Sequence, residues 1–337
     1  MSLADSAAGV DASGAFTSIP TIDLSKGATL EGRAALAQEV RDACMKVGFF
    51  YVQNHGISQI CFDNVLAAMQ TYFSLPMETK MKLHHKKVAN FKGYSPPLDA
   101  NIDPANNNKG DFHEGFEIGW EEFEAKSNDE KRAHDGAMAG ANVWPDDYSG
   151  FRNACLEYYH AAVNVGKTLF PLFALALKLP ETYFDDKTKN SAAIMRMLHY
   201  PLREFHHNVD GETPGIGAHT DFQCFTILWQ QPDIQTLQVM NSEKRWIDAP
   251  PIKDTLVINI GDQLALWTND VFKSTVHRAM NKSGRERYSI PLFFGTDYHV
   301  NIAPIPSCVS ADRPPKYSPI TAGDYVNKCL KEMYNVA

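Results

Sequence analysis

The sequence predicts a mixed α/β protein of the α+β type, with a mainly helical N-terminal part, a β core and a helical tail. Three observations predict it. Apolar positions recur at helical spacing in several stretches before residue 187. From residue 194 to 295 the texture changes to about seven short β-branched and aromatic runs, separated by Gly, Pro, Asn and Asp at roughly ten-residue intervals, which is the pattern of an all-β sandwich or barrel. Helical spacing then returns in "GDYVNKCLKEMY" (323–334).

Each element follows from its residues. Residues 1–18 are mostly small and polar and are expected to form a flexible tail. "IPTIDLS" (19–25) reads as a short strand. "LEGRAALAQEVRDACMKVG" (30–48) carries Leu36, Val40, Cys44 and Val47 at helical spacing, and Gly48 stops the helix. "FFYVQN" (49–54) is a strand turned by "HGI". "ISQICFDNVLAAMQTYFSLP" (57–76) is a second helix, ended by Pro76. Residues 151–180 form a long, largely buried helix with Pro171 as a place to kink. The organisation is therefore a mainly helical region over 19–187, a β core over 188–297 and a C-terminal helical segment over 298–337.

Composition excludes several classes. The chain has 337 residues, is 44% apolar and carries a net charge of −8, so it is globular. It lacks a basic block, which argues against nucleic acid and anionic membrane surfaces as partners. The six cysteines form no CxxC pair and read as reduced thiols. The N-terminus shows no signal-peptide pattern, and no run approaches a membrane span. A soluble cytoplasmic protein is expected.

The chemistry is concentrated in the β part. "GIGAHTDFQCFTILWQQ" (215–231) sets His219 and Asp221 two residues apart in a strand-like run, and residues i and i+2 share a face. A lone His-x-Asp is most often a surface polar pair. His277, in "NDVFKSTVHRAMN", changes the weighing. Two histidines and a carboxylate on a β scaffold make the facial triad of non-haem Fe(II) oxygenases, which leaves coordination positions open for ligands. A closed zinc site needs a fourth ligand, and none is evident nearby. Ten positions past His277, "RERYSIPLFF" sets Arg287 and Ser289 on one strand face. A forked guanidinium beside a hydroxyl is a carboxylate clamp.

HTD (219–221), His277 and RYS (287–289), in this order and spacing, resemble the Fe(II)/2-oxoglutarate-dependent dioxygenases, and among them the isopenicillin N synthase-like branch. "GFFYVQNHGI" (48–57), "FKGYSP" (91–96), "HEGFEIG" (113–119), "LHYP" (198–201), "WIDAPPIKDTLVINIGD" (246–262) and "LWTNDVFKSTVHR" (266–278) are similar to that branch too. The resemblance covers about residues 19 to 297. It implies a distorted double-stranded β-helix, a jelly-roll or cupin-like core flanked by helices. It implies Fe(II) on His219, Asp221 and His277, 2-oxoglutarate as co-substrate with its C5 carboxylate on Arg287 and Ser289, Tyr200 assisting there, and O2 as oxidant. It further implies a small-molecule substrate of specialised metabolism, oxidised by hydroxylation, desaturation or cyclisation while 2-oxoglutarate becomes succinate and CO2. Members commonly read Asn-Tyr-Tyr-Pro where Leu198-His199-Tyr200-Pro201 stands, so one polar group near the co-substrate is absent, and His199 alternates away as a structural residue.

Three alternatives remain open at this point. An isopenicillin N synthase-type Fe(II) oxidase also carries Arg-x-Ser and does not use 2-oxoglutarate. A non-catalytic metal- or ligand-binding protein would show a degraded triad, and this one is intact. A zinc hydrolase would want a general base that cannot be assigned. The substrate pocket is expected to draw on residues 91–119, the 202–217 loop, Phe222, Gln223, Phe293, Phe294 and the chain beyond 298. His84 and His85 read as part of a charged, solvated segment, His206 and His207 as loop residues at the pocket mouth, and His55 and His113 as fold-holding residues.

Overall fold

A computed structural model describes Leu3 and residues 14–88, 90–107, 109–122, 140–146, 148–202 and 214–334. The predicted elements form close to their expected places. Strand β1 (Thr21–Asp23) precedes helix α1 (Leu30–Lys46), whose first turn is capped by the Thr29 hydroxyl. Strand β2 (Phe49–Gln53) leads to α2 (Gln59–Phe73), capped by Ser58, and Pro76 starts the short α3 (Met77–Met81). The long α4 (Ser149–Ala176) contains Pro171.

The region expected to be mainly helical also supplies β3 (Gly93–Ser95) and β4 (Glu114–Ile118). Their short runs lie among turn residues, and only pairing with the β core makes them strands. The core itself has eight strands among the described residues rather than about seven: β5 (Ala193–Tyr200), β6 (Ile216–His219), β7 (Phe225–Gln230), β8 (Leu237–Met240), β9 (Trp246–Asp248), β10 (Thr255–Ile260), β11 (His277–Ala279) and β12 (Arg287–Phe294). The short α5 (Asp262–Trp267) follows β10, and α6 (Ala322–Tyr334) is the C-terminal helix.

These strands build two sheets. The major sheet runs β1-β2-β10-β7-β12-β5-β4-β3, and the minor sheet runs β6-β11-β8-β9. Together they are the jelly roll that the resemblance implied, in a mixed α/β setting. Alternation decides what each face of the major sheet meets. On β12, Tyr288, Ile290, Leu292 and Phe294 join the main apolar core with α1, α2 and α4. Arg287, Ser289, Pro291 and Phe293 turn the other way and line a cavity. On β5 the split is Ala193, Met195 and Met197 against Ile194, Arg196, Leu198 and Tyr200. A smaller core of Phe49, Tyr51, Val239 and Val257 packs on the cavity side of the major sheet and contains minor-sheet residues.

Buried polar groups also hold the fold. Glu114 accepts from the Lys80 ammonium at 2.7 Å and lies 2.8 Å from His199 Nδ1, and the His199 ring stacks on Tyr288. His199 is thus structural, as its alternation predicted. His113 Nδ1 lies 2.8 Å from the Gly215 carbonyl, and burial pushes its pKa down to about 3. It is a neutral fold-holding residue. His55 accepts from the Ile57 amide in its turn.

One contact between layers is tight enough to test. A Cβ on Gly166 of α4 would meet the Phe294 ring at 2.4 Å, and that ring is held in a stack on Phe225 with centroids 5.4 Å apart. Gly to Ala inside a helix ordinarily gains about 1 kcal/mol. Here Gly166→Ala is expected to lose about 1–3 kcal/mol net through overpacking. A lowered midpoint in urea unfolding is the expected result, and an unchanged or raised midpoint means that the ring yields.

Candidate active site

The two histidines come together by strand register. His277 on β11 is paired directly with His219 on β6, and their ring centroids are 4.2 Å apart. Asp221 lies two residues past the end of β6. Its Oδ1 is 3.5 Å from His219 Nε2 and 3.8 Å from His277 Nε2. Bonds of about 2.0–2.2 Å to a metal let donors up to roughly 4 Å apart share one ion.

The surroundings aim these atoms inward. His219 Nδ1 lies 2.8 Å from the Gly217 carbonyl and His277 Nδ1 3.1 Å from the Thr275 carbonyl. Each Nδ1–H is thereby taken up by the backbone, which leaves each Nε2 lone pair for the centre. Asp221 Oδ2 accepts from the Thr226 hydroxyl and, at 2.7 Å, from the Asn259 amide, so Oδ1 is the oxygen left facing the histidines. Close backbone approach completes the arrangement. Gly261 packs so tightly that a Cβ would lie 2.1 Å from the Gln223 carbonyl, and the Asp262 amide donates to the Asp221 carbonyl at 2.8 Å. The Thr220 hydroxyl points away and donates to Asp262.

Electrostatics fit a cation. Burial lowers His277 to about 4, with the neighbouring His219 adding to the effect. Burial acts against ionised Asp221, yet His277, His219 and the Thr226 hydroxyl outweigh it and hold the carboxyl far below its usual range, and despite its burial the same carboxylate raises His219, whose Nε2 proton a bound cation would replace. The donor set is an ionised carboxylate and two imidazoles fixed by their second nitrogens, which suits Fe(II).

Arg287 stands on the other wall of the same cavity. It is 2% exposed. One terminal nitrogen lies 3.2 Å from the Ser289 hydroxyl, the other 3.3 Å from the Gln230 side-chain oxygen, and the guanidinium carbon sits 4.8 Å from the centre of the Tyr200 ring. Tyr200 is its direct cross-strand neighbour. Among the described residues, no carboxylate pairs with Arg287, and its Nε has no acceptor. Burial lowers its pKa without neutralising so strong a base. A buried, uncompensated guanidinium costs several kcal/mol by order of magnitude, and a ligand carboxylate removes most of that cost.

The remaining sequence expectations fall out as follows. Phe222, Gln223 and Phe293 line the cavity with the triad, and Ile102, Glu117, Val326 and Leu330 bring in the expected 91–119 and C-terminal segments. Phe294 does not: strand alternation turns it into the helix-side core, where it is fully buried. His84 and His85 are not solvated. They are 9% and 1% exposed, because their segment folds back against Asp99, whose Oδ2 is 2.6 Å from His85 Nε2. These three residues could also gather round a metal, and the exposed Lys86 Nζ lies 2.6 Å from the other Asp99 oxygen, Oδ1. His206 and His207 lie outside the described residues. Sequence reasoning missed Thr226, Asn259 and Gln230. Their signal was a polar residue on the alternate face of an apolar strand, in "FTILWQ" and "TLVINI".

Three protein donors on one face of an ion leave the rest of its sphere to ligands, and on a jelly roll this places the protein in the class of mononuclear non-haem iron oxygenases. Known proteins agree. Residues 19–147 match the family described as the N-terminal region of non-haem dioxygenases in morphine synthesis, and residues 191–296 match the 2OG-Fe(II) oxygenase superfamily. A 2-oxoglutarate-Fe(II) type oxidoreductase of Emericella nidulans is 37% identical over 95% of this chain and 92% of its own length. Azadirone synthase of Melia azedarach is 37% identical over 90% of each chain. The crystal structure of a full-length Neurospora crassa protein in complex with α-ketoglutarate and thymine superposes with a TM-score of 0.79 at 28% identity, covering 93% of this chain and 97% of that one. The chain belongs to the 2-oxoglutarate-Fe(II) oxygenase superfamily. It is a 2-oxoglutarate-dependent Fe(II) dioxygenase, using Fe(II), 2-oxoglutarate and O2 to oxidise a small molecule. Among the described residues no helix is long and apolar enough to cross a membrane.

The hydrogen bonds on Asp221 make a prediction. Asn259→Ala leaves Asp221 Oδ2 with one side-chain donor fewer and lets the carboxylate turn. Fe(II) affinity is expected to fall by about 10–100-fold, the usual effect of losing such a support. Equilibrium titration of the apoprotein with Fe(II) in the absence of O2 reads it, and wild-type affinity in the variant would show that Asn259 does not position the ligand.

Proposed function

We propose that His219, Asp221 and His277 hold the Fe(II), and that Arg287, with Ser289 and Tyr200, receives the C5 carboxylate of 2-oxoglutarate. A small substrate enters the cavity beyond, along Phe222, Gln223 and Phe293. The observation that carries the co-substrate assignment is the buried Arg287, which lacks a carboxylate among the described residues and shares a cavity with the triad. The isopenicillin N synthase-type alternative would turn the same arginine to the substrate. The 2-oxoglutarate relatives favour the co-substrate.

When bound, Fe(II) supplies the O2 and redox chemistry in which 2-oxoglutarate becomes succinate and CO2 as the substrate is oxidised. The protein's part is placement. Arg287 and Ser289 orient the keto acid by its far end, and Tyr200 packs the guanidinium against the wall. Asn259 and Thr226 keep Asp221 facing the metal. The apolar lining excludes water. Hydroxylation is the default outcome, and desaturation or cyclisation needs only another substrate pose. The cavity measures about 150 Å3, below the usual range for a ligand pocket, which favours a compact substrate. Six free cysteines fit a reducing, cytoplasmic setting, and the acidic net charge disfavours nucleic acid as a partner.

The test is anaerobic titration of the apoprotein with Fe(II) and then 2-oxoglutarate, followed by the visible spectrum. A charge-transfer band is expected. Arg287→Ala should weaken 2-oxoglutarate binding by about 10–100-fold through loss of a charged hydrogen-bond donor. His219→Ala should abolish the band. Iron binding without a band overturns the co-substrate assignment, and absence of iron binding overturns the triad.

A further inference from the structure

Arg287 is held by neutral groups, and one of them stands where a counter-ion of the same shape would fit. Gln230, the last residue of β7, lies directly across the strand pair from Ser289 and on the same face. It is buried. Its side-chain oxygen accepts from a terminal nitrogen of Arg287 at 3.3 Å, and its side-chain nitrogen donates to the Ala249 carbonyl at 3.3 Å. Ala249 follows β9, is fully buried, and is itself fixed by its amide, which donates to the Leu237 carbonyl at 2.9 Å. The carboxamide thus bridges the major sheet and the minor one. Its orientation is settled by its two partners, because a guanidinium only donates and a backbone carbonyl only accepts.

We propose that Gln230 is a positioning residue for co-substrate selection: its carboxamide holds Arg287 in place without neutralising it, and so reserves the buried charge for the far carboxylate of a 2-oxo dicarboxylic acid. This rests on the function proposed above.

A buried arginine needs partners that fix its long side chain and replace its lost hydration. Arg287 finds them in a hydroxyl, a carboxamide and an aromatic face, all uncharged. The same wall shows the opposite solution. Arg196, on β5, has Glu117 of the adjacent strand at 2.6 Å and carries its counter-ion with it. Glutamine and glutamate have nearly the same volume, so the choice between them at position 230 decides whether Arg287 is paired from within. A carboxylate there would set an oxygen against the Ala249 carbonyl, lose that bond and turn to the guanidinium. Opposite charges in contact attract far more strongly in a buried site than in water. The ligand's far carboxylate would then have to displace an internal one. A 2-oxo acid without a far carboxylate makes no claim on Arg287 and would be indifferent to the change.

The test compares two keto acids on the anaerobic Fe(II) enzyme: 2-oxoglutarate, and 2-oxopentanoate, which has the same chain length and ends in a methyl group. Binding is read from the charge-transfer band, and the unfolding temperature of each apoprotein is measured beside it. The wild type is expected to bind 2-oxoglutarate at least about tenfold more tightly than 2-oxopentanoate. Gln230→Glu should lower 2-oxoglutarate affinity by about 10–100-fold while 2-oxopentanoate affinity holds, so that the preference disappears. Its apoprotein should unfold no lower than the wild type, since Arg287 is then paired. Gln230→Met removes both hydrogen bonds without adding charge and should keep the preference for 2-oxoglutarate. The inference fails, while the function stands, if Gln230→Glu keeps the wild-type preference, if it weakens both keto acids alike, if it unfolds at a lower temperature, or if Gln230→Met loses the preference equally. A wild type with no band, or with no preference for 2-oxoglutarate, removes the proposed function and this inference with it.

Discussion

A β-strand turns successive side chains to opposite faces, and in the eight-stranded sheet the two faces have opposite duties. One face carries Met195, Met197, Ile227, Ile258, Ile290 and Leu292 against three helices. The other carries Arg196, Tyr200, Thr226, Asn259, Arg287 and Ser289 into the cavity between the sheets. Polar groups can sit there only because the helix-side face buries enough apolar surface to hold the strands in register. A slip of one residue in β12 would bring Arg287 into the core and Tyr288 into the cavity.

The inner face is a set of buried charges, each with an answer at hand or awaiting one. Asp221 has the two histidines, Thr226 and Asn259. Glu117 and Arg196 answer each other across one strand pair. Arg287 has hydroxyl and amide oxygens and an aromatic face, but no anion among the described residues. One buried guanidinium on this wall thus has a carboxylate partner and the other has none among the described residues. In the proposed assignment cost and function coincide at Arg287, since the group that destabilises the empty fold is the one that the co-substrate carboxylate would relieve.

Much of this was legible in the sequence. Arg287 and Ser289 share a face of β12 as their spacing predicted, whereas Asp221 lies in the turn past the end of β6 and reaches His219 from there, not from a shared strand face. Helices α1, α2 and α4 announced themselves by apolar runs and, for the first two, by the stops at Gly48 and Pro76. Other parts were not legible. Strands β3 and β4 are too short and too polar to declare themselves, and they exist because β5 offers an open edge. His84 and His85 sit in a run of lysines, and only the fold-back onto Asp99 buries them. Phe293 and Phe294 are adjacent and chemically identical, so their division between cavity and core awaited the register of β12 against β5 and β7.

The sequence by itself determined the chemistry, because residue type and local spacing decide which donors share a strand face and which charges are present. It could not determine which face of each strand turns inward relative to its neighbours, nor which distant residues meet. His277 faces His219 through pairing across 58 positions of chain, and Glu117 meets Arg196 across 79. Such meetings depend on strand order and register, which are set by packing of the whole sheet against the helices. That packing brought Thr226 and Asn259 to Asp221, kept Arg287 away from every described carboxylate, and gave Arg196 one.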